Sequence, residues 1–183
     1  MKKVFLIILL SSLLSPLDVN ARLGESVEVS QKRYGRPATT PADKVNPIMK
    51  DLPVETYNYK GWTIKVAYLN NHTVRILYGR KPQPDLSPFL QDYELDAILK
   101  AEAHGGTWTR LRKKSLLEEA LLPTKHPNKM FVHAQKAWLN TNGCIAYSPN
   151  GMSLYIDAPD ATKWESTISQ AKVEKRKLET PSF

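Results

Sequence analysis

One cysteine, Cys144, stands among 183 residues, so the chain closes no internal disulfide and offers no multi-cysteine zinc site. Histidine is scarce too. His72, His104, His126 and His133 include no pair at helical metal-ligand spacing. A Gly-x-Ser-x-Gly element is missing, which leaves no elbow for a serine nucleophile. Gly105-Gly106 follows a helical pattern instead of joining strand to helix, so no nucleotide fingerprint is present. No cofactor or metal is therefore expected. Beyond the first 21 residues no stretch is apolar enough to span a bilayer. The composition, 42% hydrophobic and 24% charged, fits a globular chain and excludes a collagen-like or disulfide-stapled one.

What is present begins with an address. Met1-Lys2-Lys3 is a short positive segment, Val4 to Leu14 is nearly all apolar, and Val19-Asn20-Ala21 has the small residues of a cleavage site. This three-part form is that of a bacterial secretory signal peptide over residues 1–21, and the apolar run is too short for a spanning helix. The chain is thus expected to be exported, to the periplasm or the exterior, with no transmembrane span after cleavage. Charge is uneven in the remainder: residues 22–81 carry net +6, 82–108 net −4 and 109–183 net +5. Export argues against nucleic acid as the partner of these basic stretches. A protein or an anionic envelope component is the expected partner.

Ser26 and Gly35 bracket a helix expected over 26–34, by capping at its start and a left-handed residue at its end. Residues 36–54, with Pro37, Pro41, Pro47 and Pro53, read as an extended connector that Val45, Ile48, Met49 and Leu52 could pin to a core. Period-two alternation then runs through Glu55–Tyr59, Trp62–Leu69 and His72–Tyr78, broken at Lys60-Gly61 and Asn70-Asn71. That pattern predicts a three-stranded antiparallel meander. Its aliphatic face should meet a core, and the face bearing Lys65 and Arg75 should be wetter. Asp92 to Ala103 reads as a helix with Leu95, Ile98, Leu99 and Glu102 on one stripe, and its acidic first turns suit the helix dipole. A short helix over Ser115–Leu122 follows, then strands over Lys129–Leu139, Cys144–Ser148 and Met152–Asp157, and a last helix from Asp160 with Trp164, Ile168 and Ala171 inward. The predicted class is α+β: two helix-then-antiparallel-meander units, 22–81 and 82–183, with helices on one face of the sheets.

Two places could carry chemistry. Trp108, Arg110, Arg112, Lys113 and Lys114 put an indole beside a dense basic cluster, a pattern suited to surface recognition. Cys144 and His133, on neighbouring predicted strands, could form a thiolate–imidazole pair in a small secreted enzyme. The simpler reading of Cys144 is a small buried hydrophobe, and Trp138 and Trp164 read as core anchors.

Leu23-Gly24-Glu25-Ser26, a short helix, Tyr34-Gly35-Arg36-Pro37 and a following meander resemble the opening of small exported bacterial proteins. Among these are the small lipoprotein subunit of the outer-membrane β-barrel assembly machine and the β-lactamase inhibitor protein, which carries such a unit twice. The chain departs from the first in having no lipobox cysteine and from the second in having no disulfide pair. The resemblance implies a non-enzymatic module that presents sheet and loop surfaces to a partner. The alternatives left open are the Cys144/His133 enzyme and a basic anchor on anionic polymer or lipid.

Overall fold

Ser26 starts the first helix as expected. Its hydroxyl accepts from the Val29 amide at 3.4 Å, helix α1 runs Val27–Tyr34, and Gly35 ends it at φ 84°. The structure, a computed structural model, describes residues 22–38, 48–49, 52–84, 87–112 and 134–179. The leader, Val45, the Ser115–Leu122 helix and the first residues of the Lys129–Leu139 strand lie outside these.

The predicted meander is present as β1 (Val54–Tyr59), β2 (Trp62–Leu69) and β3 (His72–Arg80). Both of its turns hold two residues at positive φ: Lys60 and Gly61 at 46° and 84°, Asn70 and Asn71 at 50° and 66°. Two left-handed residues give the turn twist that matches paired strands. Helix α2 (Asp92–Ala101) follows, stabilised at its start by the Gln91–Glu94 capping box. Then come β4 (Trp108–Arg110), β5 (Lys136–Asn140), β6 (Ile145–Ser148), β7 (Ser153–Asp157) and helix α3 (Pro159–Glu179). The basic segment at 108–110, read from sequence without a strand, is thus an edge strand. The strand expected from Lys129 begins at Lys136.

All seven strands share one antiparallel sheet in the order β1-β2-β3-β7-β6-β5-β4. The last strand of each meander meets the other at the centre, with Arg75 opposite Asp157 and Leu77 opposite Tyr155. Strand alternation divides the sheet into two faces. On the first, Val66, Ile76, Leu154, Ile156, Ala146 and Trp138 pack with Tyr34 of α1 and Leu95 and Leu99 of α2. On the second, Ala67 and Val74 pack with Met49 and with Ala161 of α3, and Ile48, Leu52 and Trp164 border them. Helices therefore cover both faces, not one: α1 and α2 lie on the first, α3 on the second. The connector is pinned at Ile48, Met49 and Leu52 as expected.

The wetter-face expectation is overturned at Arg75. This residue is 3% exposed and Asp157 is fully buried. Arg75 donates from Nε to Asp157 Oδ1 at 2.6 Å and from Nη2 to Oδ2 at 2.7 Å. Its Nη1 donates to the Ile48 carbonyl at 2.9 Å and to Glu165 of α3 at 2.7 Å. Alternation correctly sets Arg75 on the face opposite Ile76, but α3 and the 48–49 segment cover that face. Val74 departs from the simple alternation as well. Ala67 faces Arg75 whereas Tyr68 faces Thr73, so Val74 is the extra residue of a bulge and joins the second-face core.

Removing one partner of a buried ion pair leaves the other charge uncompensated, which costs about 3–5 kcal/mol. Arg75→Met should lose about that much in urea denaturation. Arg75→Met combined with Asp157→Leu should recover most of the loss, because no fully buried charge then stands alone and the partly exposed Glu165 can turn to water.

A candidate binding cleft on the first face

The predicted basic site is only partly assembled among the described residues. Trp108 is half-buried on β4, where it packs against the first-face core, and Arg110 and Arg112 are exposed beside it. Trp108 and Arg110 line a groove of about 470 Å³ together with Trp138, Asp92 and Asp96. The acidic start of α2 therefore faces the basic strand. Lys136, 2.6 Å from Asp92, holds that carboxyl below its ordinary range, and Arg110 adds to the effect. Lys113 and Lys114 lie outside the described residues, as does His133, so the Cys144–His133 pairing does too. Cys144 itself is buried, just before β6. Burial, with the Glu102 and Asp157 carboxylates, pushes its thiol up to about 11, the opposite of an activated nucleophile. Trp138 is a core residue as expected. Among the described residues no group of three His, Cys, Asp or Glu is placed to hold a metal ion.

A second hollow, of about 400 Å³, is built from four separate elements. Tyr34 closes α1, Tyr59, Lys60 and Trp62 come from the β1–β2 hairpin, and Tyr78 from β3. Tyr93, Glu94 and Ile98 come from α2. Helical spacing puts Glu94 and Ile98 on one side of α2, facing the sheet. Period two puts Tyr59, Ile64 and Tyr78 on the first face, and the tight hairpin brings Trp62 opposite Tyr59. The Tyr34 ring lies edge-on to Tyr59, with centroids 5.5 Å apart at 72°, so two aromatic planes meet at a corner. The Lys60 ammonium sits 5.2 Å from the Tyr59 centroid. Tyr93 is 70% exposed, an unusual position for a large ring. Glu94 is nearly buried and already engaged, by Arg80 and by the Gln91 amide at 2.8 Å.

Beneath the hollow lies a polar network. Tyr78 donates its hydroxyl to Glu102 Oε1 at 2.8 Å, and His104 Nε2 lies 3.3 Å from Glu102 Oε2. Glu102 is wholly buried, at the end of the stripe that the sequence pattern places inward. Burial raises its carboxyl above the ordinary value of 4.5, and the hydrogen bonds from His104 and Tyr78 offset that only in part. Burial and the Glu102 charge likewise raise the Tyr34 and Tyr78 hydroxyls, so both stay protonated at neutral pH.

No single run of sequence announces this cleft. Its aromatics are spread from position 34 to position 93, and each alone reads as a core anchor. Comparison with protein-family models, curated proteins and solved structures gave no match.

With its thiol buried and raised, Cys144 should resist iodoacetamide in the native protein at pH 8 and react promptly once the chain is unfolded. Glu102 gives a pH dependence. A carboxyl raised by folding contributes its stability below the unfolded value and loses it as pH rises through the folded one. From about pH 4.5 upward, the wild type should therefore lose stability relative to Glu102→Gln, a difference read from urea midpoints at pH 4 and pH 8.

Proposed function

We propose that the chain is an exported, non-enzymatic recognition module whose first-face cleft engages an envelope or extracellular partner. The observation that carries this reading is the convergence of Tyr34, Tyr59, Trp62, Tyr78 and Tyr93 on one open hollow. Tyr and Trp offer large, stiff contact area with a polar tip, which is why they concentrate where partners dock. Rigid elements hold the hollow in place: the paired β1–β2–β3 ladder below and α2 along one side. The volume lies within the ~300–1,000 Å³ usual for preformed ligand sites.

Export is supported by the three-part leader at residues 1–21. We read the element order, α1 before β1–β3 and α2 before β4–β7, as two helix-plus-meander units, and that order supports the likeness to modules that act by presenting surfaces. The enzyme alternative draws little from a thiol raised to about 11. The anchor alternative is weakened where Arg110 shares its groove with Asp92 and Asp96. Among the described residues no helix is long and apolar enough to cross a membrane.

The test places a photoreactive benzoylphenylalanine at Tyr93 and, as a control, at the exposed Asn142 of the β5–β6 turn, in the full chain made by the producing bacterium. Irradiation should give a discrete adduct from position 93 and none from 142. The exported chain should begin at Arg22. Equal labelling at both positions would remove the cleft reading, and an uncleaved cytoplasmic chain would remove export.

A further inference from the structure

We propose that the occupant of this cleft is an acidic saccharide, a short run of pyranose rings bearing carboxylates; this rests on reading the cleft as a binding site. Charge points to an anion. Glu94, the carboxylate lining the cleft, is neutralised by its ion pair with Arg80. Lys60 lines the same cleft and, among the described residues, has no carboxylate partner. Lys81 is held at the same end of the sheet by its amide, which donates to the Gly61 carbonyl at 3.0 Å. Among the described residues the cleft thus presents the Lys60 charge with no carboxylate against it, and an anion answers it.

Shape and surface narrow the class. A pyranose ring has a flat apolar C–H face and a rim of hydroxyls. The half-buried Tyr59 ring, braced edge-on by the buried Tyr34 ring at 5.5 Å and 72°, is one apolar surface for that C–H face. The wall beyond them is Trp62 and the exposed Tyr93. Tyr59 and Tyr93 also carry hydroxyls that can meet those of a sugar, whereas Tyr78 donates its own to Glu102 and that of Tyr34 is buried. An extended peptide that adds to a sheet needs a free strand edge for its amides. The cleft offers a sheet face instead, where Tyr59 pairs with Trp62 and Ile64 with Tyr57 and Tyr78. A proline-rich peptide is the nearest rival, since aromatic grooves also take that conformation.

Calorimetry on the mature chain tests this with three probes: trigalacturonate, its fully methyl-esterified form, and the acidic peptide Pro-Asp-Pro-Pro-Asp-Pro. Trigalacturonate should bind, and the ester should bind about tenfold more weakly, the loss of one charge-assisted contact. Lys60→Met should reduce binding of the acid to the level of the ester and leave the ester unchanged. Tyr93→Ala, at a residue exposed enough to spare the fold, should weaken both. Equal binding of acid and ester, or an acid affinity untouched by Lys60→Met, overturns the proposal. If the peptide alone binds and Tyr93→Ala abolishes it, the saccharide is wrong and the recognition-module reading stands. The saccharide is also wrong, with the module reading intact, if no probe binds but position 93 still gives its photo-adduct. If no probe binds and no adduct forms, both readings fall.

Discussion

Arg75 is where the architecture is tied together. One guanidinium reaches a strand of the second meander through Asp157, the last helix through Glu165 and the connector through the Ile48 carbonyl. With β3 itself, four parts of the chain meet at this side chain. Burial opposes the charge on Arg75, and the Asp157 carboxylate more than offsets that. A pair of this kind is weak evidence for stability, because apolar residues of similar volume often replace it without loss. Its consequence here is register. The β3–β7 pairing is the seam between the two meanders, and Arg75 stands directly opposite Asp157 on it. A slip of one residue would send every side chain of a strand to the other face. It would carry Arg75 to the face of Leu95 and Leu99, away from Asp157, Glu165 and the Ile48 carbonyl.

The seam in turn decides what the first face can do. With the ions held on the second face, Ile76, Ile156, Leu154 and Ala146 continue one apolar surface across the centre of the sheet. Helices α1 and α2 both settle on that surface. The space that they leave above the β1–β2 hairpin is the aromatic cleft. The loop after α2 is fixed equally tightly. A Cβ at Gly106 would collide with the Asn140 side chain, so a larger residue there would displace Asn140, whose Oδ1 accepts from the Asn142 amide. Asn140 also donates to the Ala103 carbonyl at 3.3 Å. Glu102 is held where it meets Tyr78 by these neighbours.

Much of this fold is legible in the sequence because it is written in local chemistry. Ser26 and Gly35 mark α1, Lys60-Gly61 and Asn70-Asn71 mark the hairpins, and strict alternation marks β2 and β3 up to the bulge. Alternation separates two faces but does not say what lies against each. That is why Arg75 reads as wet from sequence and is buried in the structure. The direction in which α3 leaves β7 decides the matter, and only tertiary packing sets it. The short β4 is missed for a related reason. Three residues carry too little periodicity, and pairing of Trp108 with Asn140 makes the strand. The basic cluster at 108–114 is a pattern of charge alone, blind to the Asp92 and Asp96 carboxylates that share a groove with Trp108 and Arg110.

The cleft residues divide by what they risk. Tyr78 belongs to the wall and also donates to the buried Glu102, and Tyr34 packs against both Tyr57 and Tyr59. Neither can change without disturbing the core, so these two rings form a fixed floor. Tyr93 and Lys60 stand at the rim, with little of the fold depending on them. On the proposed reading, the floor fixes the shape of the hollow, and the rim residues Tyr93 and Lys60 supply contact and selectivity. An exposed aromatic such as Tyr93 is a liability for solubility when it has no partner. Its position at the mouth of a hollow that the rest of the fold holds open is the strongest physical reason to look for one there.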